Sequence, residues 1–297
     1  MINKIYRLFI KCFAIDKWNI GYINQSIEDL LAKGKLSPIT WLKEDHVDYA
    51  ADPFIVTQGD QIQIYYEELN FWQGLGKIMM MENFDFKTKK KINGITPSKI
   101  HLSYPYLIRN GKDLFCIPET SEALEIGLYQ VNEETPTSLE KQKILVQGKP
   151  FVDSSIIFHS GKYWLFTSLS GINNQLFIYY ADHLNGNYKP HQLNPIKVEN
   201  YACRGAGNLF CIDNIMYRPT QNSTNCYGGS IQLNKITHLT ETEYQTEPIF
   251  EILPDDKYEI GIHQISFTND KIVVDGKRRV FSITAPFKKM VRRIKAA

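Results

Sequence analysis

Long apolar runs are missing from this 297-residue chain. No stretch approaches the roughly 18–20 apolar residues that a membrane-spanning helix needs, which argues against an integral helical membrane protein. Cysteine is sparse: Cys12, Cys116, Cys203, Cys211 and Cys226 are odd in number and show no CxxC spacing. A disulfide framework or zinc ribbon is therefore not expected, and a reducing, cytoplasmic compartment is. Lys4, Arg7 and Lys11 interrupt any leader-like apolar stretch near the start, so the sequons at Asn24 and Asn222 read as chance matches. No GxGxxG, GxxxxGK[ST], HExxH or Asp-x-Asp occurs, and the seven histidines lack metal-ligand spacing. A dinucleotide cofactor, a P-loop nucleotide and a bound metal are thus not expected. Tryptophan is scarce, 4 residues against 17 Tyr and 16 Phe, in an otherwise ordinary globular composition that excludes disorder and coiled coil.

Net charge is also nearly absent, at +2, but this conceals a segregation. Residues 1–17 carry +3, residues 277–297 carry +8 with no acid, and the body between them is −9. Nucleic acid is not an expected partner of an acidic body whose basic residues are not interleaved with aromatics.

A repeat runs through that body. Five segments share one plan: ADPFIVTQGDQIQIYYEE from Ala51, SYPYLIRNGKDLFCIPET from Ser103, VDSSIIFHSGKYWLFTSL from Val152, CRGAGNLFCIDNIMYRPTQ from Cys203 and IHQISFTNDKIVVDG from Ile262. Each has a polar pivot, a β-prone run, a turn and a second β-prone run. The turns Gly59-Asp60, Asn110-Gly111, Ser160-Gly161, Asp213-Asn214 and Asn269-Asp270 supply hairpin chemistry. The pivots Asp52, Tyr104, Asp153, Arg204 and His263 recur every 49–59 residues. A period near 50 residues is that of a four-stranded propeller blade. The expected fold is an all-β, five-bladed β-propeller over residues 46–280. A basic amphipathic segment and lead-in (1–45) precede it, helical around 26–32, and a basic amphipathic helix (281–297) follows.

In a propeller the first strands line the central channel, so equivalent pivots converge on one mouth. The hairpins return there with Glu67-Glu68, Glu119, Ser168, Arg218 to Gln221, and Asp275. Such crowding of carboxylates and cations perturbs pKa values and marks a site, although solvation of a polar channel would also place polar residues there. Two carboxylates facing one concavity suit sugar chemistry, one as base or nucleophile and one as acid.

These residues bring a family into view. ADPF at 51–54, HLSYP at 101–105, IPET at 117–120, VDSSIIFHSGKYWLFTS at 152–168, GNYKPHQLNP at 186–195, RGAG at 204–207, YRPTQ at 217–221, VDG at 274–276 and WNIG at 18–21 form a series. It resembles the five-bladed propeller domain at the N-terminus of glucosamine inositolphosphorylceramide transferases, a domain that also looks to occur in bacterial polysaccharide-biosynthesis proteins. More distantly it is similar to arabinanase- and invertase-like propeller glycosidases. That resemblance implies Asp52 as base or nucleophile and Asp153 as the residue that holds the sugar. The glycosidases' acidic pivot is replaced here by Arg204, so a general acid would come from Glu119 or Glu68.

A missing acid favours transfer from an activated donor, because diphosphate leaves without protonation when its charge is met. Arg204, Arg218, His263 and His101 are the expected cations, with Tyr104 and Gln221 completing the substrate contacts. Arg204 has a second reading, an ion pair with Asp52 or Asp153 that ties two blades. The expectation is a glycosyltransferase of cell-surface polysaccharide (lipopolysaccharide or capsule) synthesis. It uses a nucleotide sugar as substrate rather than cofactor, acts on a lipid-linked glycan, and needs no metal. Phe287, Met290, Val291 and Ile294 share one face of the C-terminal segment among Lys288, Lys289, Arg292, Arg293 and Lys295, and Ile2, Ile5, Leu8, Phe9 and Phe13 do the same near the start. Both ends are expected on the anionic inner face of the cytoplasmic membrane. The alternatives are an intracellular arabinanase-like glycoside hydrolase and a non-catalytic glycan-binding propeller.

Overall fold

The computed structural model describes residues 9–59 and 61–295. Residues 9–13 are helical and lead into β1 (Ala14–Ile23). A short helix α1 (Ile27–Lys33) follows; the Ser26 hydroxyl accepts the Asp29 N–H at its start, and Gly34 closes it in the left-handed conformation. Then come β2 (Thr40–Trp41), β3 (Tyr49–Gln58), β4 (Gln61–Leu69), β5 (Gly76–Glu82) and β6 (Asp85–Lys91). The next set is β7 (Ser103–Asn110), β8 (Asp113–Glu119), β9 (Glu125–Val131) and β10 (Leu139–Gln147). It is followed by β11 (Phe151–His159), β12 (Lys162–Leu169), β13 (Ile172–Ala181), β14 (Lys189–Pro190) and β15 (Ile196–Lys197). The chain continues through β16 (Phe210–Ile212), β17 (Ile215–Asn222), β18 (Ser230–Leu239), β19 (Tyr244–Ile252), β20 (Ile265–Phe267) and β21 (Ile272–Phe281), and ends in α2 (Ala285–Lys295).

Each hairpin foreseen from the repeat forms the two inner strands of a sheet, and the runs at β5, β9, β13 and β18 add the third. Ser160-Gly161 and Asp213-Asn214 take positive φ at both positions, the turn whose twist matches paired strands. β3 to β6, β7 to β10, β11 to β15 and β16 to β19 pair as successive antiparallel sets. The last set is β20-β21-β1-β2, joined to the first by one parallel pairing, Trp18 with Tyr49. The architecture is an all-β propeller whose two ends are stitched together by β1. Ten residue pairs, from Ala14↔Phe281 to Ile23↔Ile272, form that seam.

This corrects the domain limits read from sequence. Residues 14–41 supply two strands to the sheets and are not a lead-in outside them. WNIG at 18–21 lies inside the closing strand. Residues 1–8, with Ile2, Lys4, Ile5, Arg7 and Leu8 of the basic amphipathic segment, lie outside the described residues.

The core lies between neighbouring sheets. Phe54 and Tyr65 from the first set pack with Tyr104, Tyr106 and Cys116 of the second and Phe151 and Ile156 of the third. Phe54 is fully enclosed, with edge-on contacts to Tyr104 and Tyr106 at 5.0 and 5.4 Å. Burial of such a side chain contributes about 1.5–3 kcal/mol.

Candidate active site

The first three pivots are presented by one backbone device. Asp52, Tyr104 and Asp153 have φ of 51°, 45° and 51°. Each sits where the hairpin register slips, between Ala51 and Phe54, Ser103 and Tyr106, and Val152 and Ser155. A left-handed non-glycine residue costs on the order of 1–3 kcal/mol and is held only by its surroundings. Here the bulge turns the pivot out of the ladder at the channel end of each sheet.

Two of these pivots meet in one cavity of about 420 Å³, lined by Asp52, Glu67, His101, Ser103, Glu119, Asp153, Arg204 and Tyr227, with Tyr49, Leu69 and Arg292 at its side. A larger cavity of about 880 Å³, between α1 and the end of β19, is also lined by charged groups, but Lys33, Lys35, Glu251, Asp256 and Lys257 there are exposed and Asp255 is half-buried. The small mouth is therefore the candidate site.

Asp52 is buried, and its Oδ2 accepts the Tyr104 N–H at 3.3 Å. Its own N–H donates to Asp275 Oδ2 at 3.0 Å. Asp275 also accepts the backbone N–H groups of His263 and Gln264 at 3.0 and 3.1 Å. The His263 ring lies 2.7 Å from Asp275 and 3.5 Å from Asp52 and stacks on Trp18 at 4.0 Å. Burial pushes the Asp52 carboxyl well above the usual range; His263 opposes this, and Glu67, Asp275 and Asp153 reinforce it. His263 is raised in turn: burial disfavours its charge, but Asp275 and Asp52 outweigh it. These three residues bring one ligand atom each within 4.8 Å of one another, a spacing that a cation could bridge. In this arrangement the His263 ring lies between the two carboxylates.

Arg204 reaches back to Asp153, with Nε and Nη2 at 2.5 and 3.1 Å from the two carboxylate oxygens. Its guanidinium lies 5.4 Å from the Tyr227 ring centre. Of its two sequence readings, the ion pair is the one formed, and its partner is Asp153. Glu119 Oε2 accepts the Asp153 N–H at 3.2 Å. Burial and the Asp153 charge lift the Glu119 carboxyl to about 7, against Arg204 and His101. His101 sits 3.2 Å from Glu67 and accepts the Gly76 N–H on its other nitrogen. Burial works against its charge, yet contact with Glu67 raises it to about 9.

Other expected site residues are placed elsewhere. Glu68 points to the opposite face of β4, where it pairs with Lys77 and Lys89 at 2.9 and 2.6 Å. The pleat puts its neighbour Glu67 in the mouth instead. Arg218 is buried and donates to the carbonyls of Ala202 and Cys203 at 2.8 and 2.6 Å. Gln221 donates to the Gly205 carbonyl at 2.8 Å. The Tyr104 side chain runs into the channel, where its hydroxyl meets Ser155 Oγ at 2.9 Å and accepts the Gly207 N–H at 2.8 Å. His263 lies beneath Asp52, not in the cavity wall. Sequence reasoning did not single out Glu67 as a site residue, nor Ser103, and it did not bring Arg292 to the mouth. Strand alternation along β4 was the available signal for Glu67; Arg292 arrives from α2, for which no local signal exists.

The architecture is that of a β-propeller, the shape shared by several solved glycosidases. An α-L-arabinofuranosidase of Podospora anserina solved with cellotriose superposes with a TM-score of 0.57 at 12% identity, over 77% of this chain and 81% of that one. The catalytic domain of a Coprinopsis cinerea α-L-arabinofuranosidase gives 0.55 at 10%, over 79% and 93%. An exo-1,5-α-L-arabinanase from a bovine ruminal metagenome gives 0.51 at 14%, over 80% and 98%. These likenesses establish the fold alone.

Residues 42–258 match the family described as glucosamine inositolphosphorylceramide transferase 1, N-terminal, and the chain belongs to that family. Glucosamine inositolphosphorylceramide transferase 1 of Oryza sativa subsp. japonica is 31% identical over 210 residues, 68% of this chain and 28% of that protein. Its Arabidopsis thaliana counterpart is 32% identical over 206 residues, 67% and 27%. The chain thus spans just over a quarter of the length of these relatives.

Proposed function

We propose that this chain is the sugar-handling propeller of a glycosyltransferase that builds a cell-surface polysaccharide, moving a sugar from a nucleotide donor to a lipid-linked glycan at an anionic membrane face. The observation that carries the reading is the meeting of Asp52, Glu67, Glu119 and Asp153 in one small, partly desolvated mouth. Carboxylates in such a cavity grip sugar hydroxyls and exchange protons at an anomeric centre.

Asp52 is the base. A carboxyl lifted by burial accepts a proton more readily than an exposed one, and His263, held by Asp275, favours its charged form. The acceptor hydroxyl passes its proton to Asp52 while its oxygen attacks the anomeric carbon. The bond from that carbon to the donor phosphate oxygen breaks, and the electron pair leaves with the diphosphate. Asp153, locked by Arg204, orients the sugar. Asp275 already receives three backbone N–H groups and the His263 ring, so the reading routes no step through a metal. The membrane half rests on α2, which docks by Ala285, Lys288 and Arg292 and turns Phe287, Met290 and Ile294 outward, 54–68% exposed. No helix among the described residues is long and apolar enough to cross a membrane.

One observation favours a second reading, glycoside hydrolysis. With its carboxyl near 7, Glu119 can carry a proton at neutral pH and protonate a poor leaving group. The test is product analysis of the purified chain with labelled nucleotide sugars and a lipid-linked glycan. Labelled lipid supports transfer. Free sugar released from a glycoside, and lost in Glu119→Gln, supports hydrolysis. Sugar binding without product from any donor overturns both and leaves a glycan-binding module.

A further inference from the structure

The transfer reading lacks one part. A leaving diphosphate needs cations free to meet it, and those that the sequence pointed to are engaged. Arg204 is forked onto Asp153, Arg218 is spent on two carbonyls, His263 lies between Asp275 and Asp52, and His101 faces Glu67.

A second cavity, of about 580 Å³, lies between the helical residues 9–13 and α2. Among the described residues, five cations line it, Lys11, Arg279, Lys289, Arg292 and Arg293, and one carboxylate, Asp16, which is 3.6 Å from Arg279. Tyr49 and Arg292 border both this cleft and the carboxylate mouth, so the two adjoin. The Arg292 guanidinium rests 4.8 Å from the centre of the Phe71 ring and 5.8 Å from that of Tyr49. Lys288 fastens α2 by donating to Asp48 at 2.6 Å, and Lys289 donates to the Lys11 carbonyl at 2.7 Å, which ties the two terminal helices together. Burial lowers the pKa of Lys289, Cys12 and Asp16 oppose the shift, and Arg293 and Arg279 add to it. Crowding of four unmatched positive charges is unfavourable until a multivalent anion enters.

We propose that this cleft is an anion site for the phosphate or diphosphate group attached to the molecule whose sugar, or sugar acceptor, sits in the mouth. The inference rests on the sugar-handling reading of the mouth for its biological sense, but the cleft's affinity for phosphate is testable without it. Two sources share this chemistry, the diphosphate of a soluble donor and the phosphate of a lipid headgroup. The exposed Phe287, Met290 and Ile294 on the outer side of α2, together with the exposed pair Phe9 and Phe281, whose rings stack at 5.7 Å, would set the cleft at the height of lipid phosphates.

The experiment measures binding of inorganic pyrophosphate, uridine diphosphate and phosphatidylcholine vesicles containing 20% phosphatidylinositol to the full chain and to Lys289→Gln/Arg293→Gln. The Lys289→Arg/Arg293→Lys variant serves as the charge-preserving control. Neither residue touches the carboxylate mouth. The expected result is a loss of at least tenfold in the glutamine variant and near-full retention in the control, with affinity falling as salt rises. Pyrophosphate and uridine diphosphate binding that competes with vesicles assigns the site to a donor diphosphate. Vesicle binding that pyrophosphate does not displace assigns it to a lipid phosphate. No binding of any probe by the wild-type chain, or equal binding by the glutamine variant, overturns the inference. Loss of sugar binding in Asp52→Asn is scored separately. Its absence would sink the mouth assignment and leave the anion site standing.

Discussion

The pivots of the first three sheets and those of the last two are built differently. Asp52, Tyr104 and Asp153 share a left-handed backbone and a register slip. Arg204 and His263 are not among the left-handed residues, and their side chains reach toward the acids of the first group. One half of the ring presents carboxylates by backbone strain, and the other half supplies the charges that hold them. The result is a mouth whose acids are oriented by ion pairs and whose cations have little left for a substrate.

The largest effect that would break this contrast is Asp52→Asn. Under the transfer reading, turnover falls about 10²–10⁴-fold, the range for loss of a general base, while thermal unfolding stays within about 3 °C of wild type, a shift that corresponds to less than ~2 kcal/mol in a chain of this size. Unchanged turnover would remove Asp52 from the chemistry. Next is Asp153→Ala, which strands the mostly buried Arg204. A loss of about 2–3 kcal/mol is expected by urea unfolding, somewhat below the usual cost of breaking a fully buried pair because Arg204 keeps some solvent contact. Removal of both partners in Asp153→Ala/Arg204→Leu should recover part of it.

A smaller contrast separates two adjacent residues. Glu67→Gln should weaken sugar binding about tenfold, a loss on the order of the ~1.4 kcal/mol carried by one charge-assisted hydrogen bond. Glu68→Gln, on the opposite face, should leave it unaltered. Equal effects would mean that the pleat does not decide which acid faces the substrate.

The last contrast is in pH dependence. Glu119 is raised from its ordinary value to about 7, so the folded state holds its proton more tightly, and its contribution falls as pH rises from about 4.5 to 7. His101, raised to about 9, contributes most below about 6.5 and loses that contribution as pH climbs to 9. Unfolding free energies of Glu119→Gln and His101→Gln across pH 4–10 should each lack the corresponding slope. A slope that persists in the variant contradicts the assignment for that residue.

Much of the fold was legible because the hairpin is repeated. Turns such as Ser160-Gly161 and Asp213-Asn214 announce themselves by composition and recur at a fixed interval. Closure through β1 was not legible: pairing residues 14–23 with 272–281 depends on contacts across nearly the whole chain, which no local pattern records. In the site, Asp52, Asp153 and Glu119 were readable from their place at the ends of inner strands. The sequence points to Glu68 where Glu67 faces the mouth; β4 alternates regularly, and only its pairing with β3 decides which of the two faces inward. Arg218 and Gln221 stand at the right strand end but satisfy backbone carbonyls, a demand invisible in one dimension. The amphipathic pattern of α2 was plain, yet it does not say which face docks; here Lys288 and Arg292 anchor the helix and the apolar face is left outside.

The central claim is that the mouth holds a sugar whose phosphate reaches the cleft between the terminal helices. Its most direct test is a crystal structure of the full chain with a non-hydrolysable nucleotide sugar. The sugar ring is expected in contact with Asp52, Glu67 and Asp153, and the diphosphate or its analogue against Arg292 and Lys289. A sugar bound outside the carboxylate mouth would contradict it.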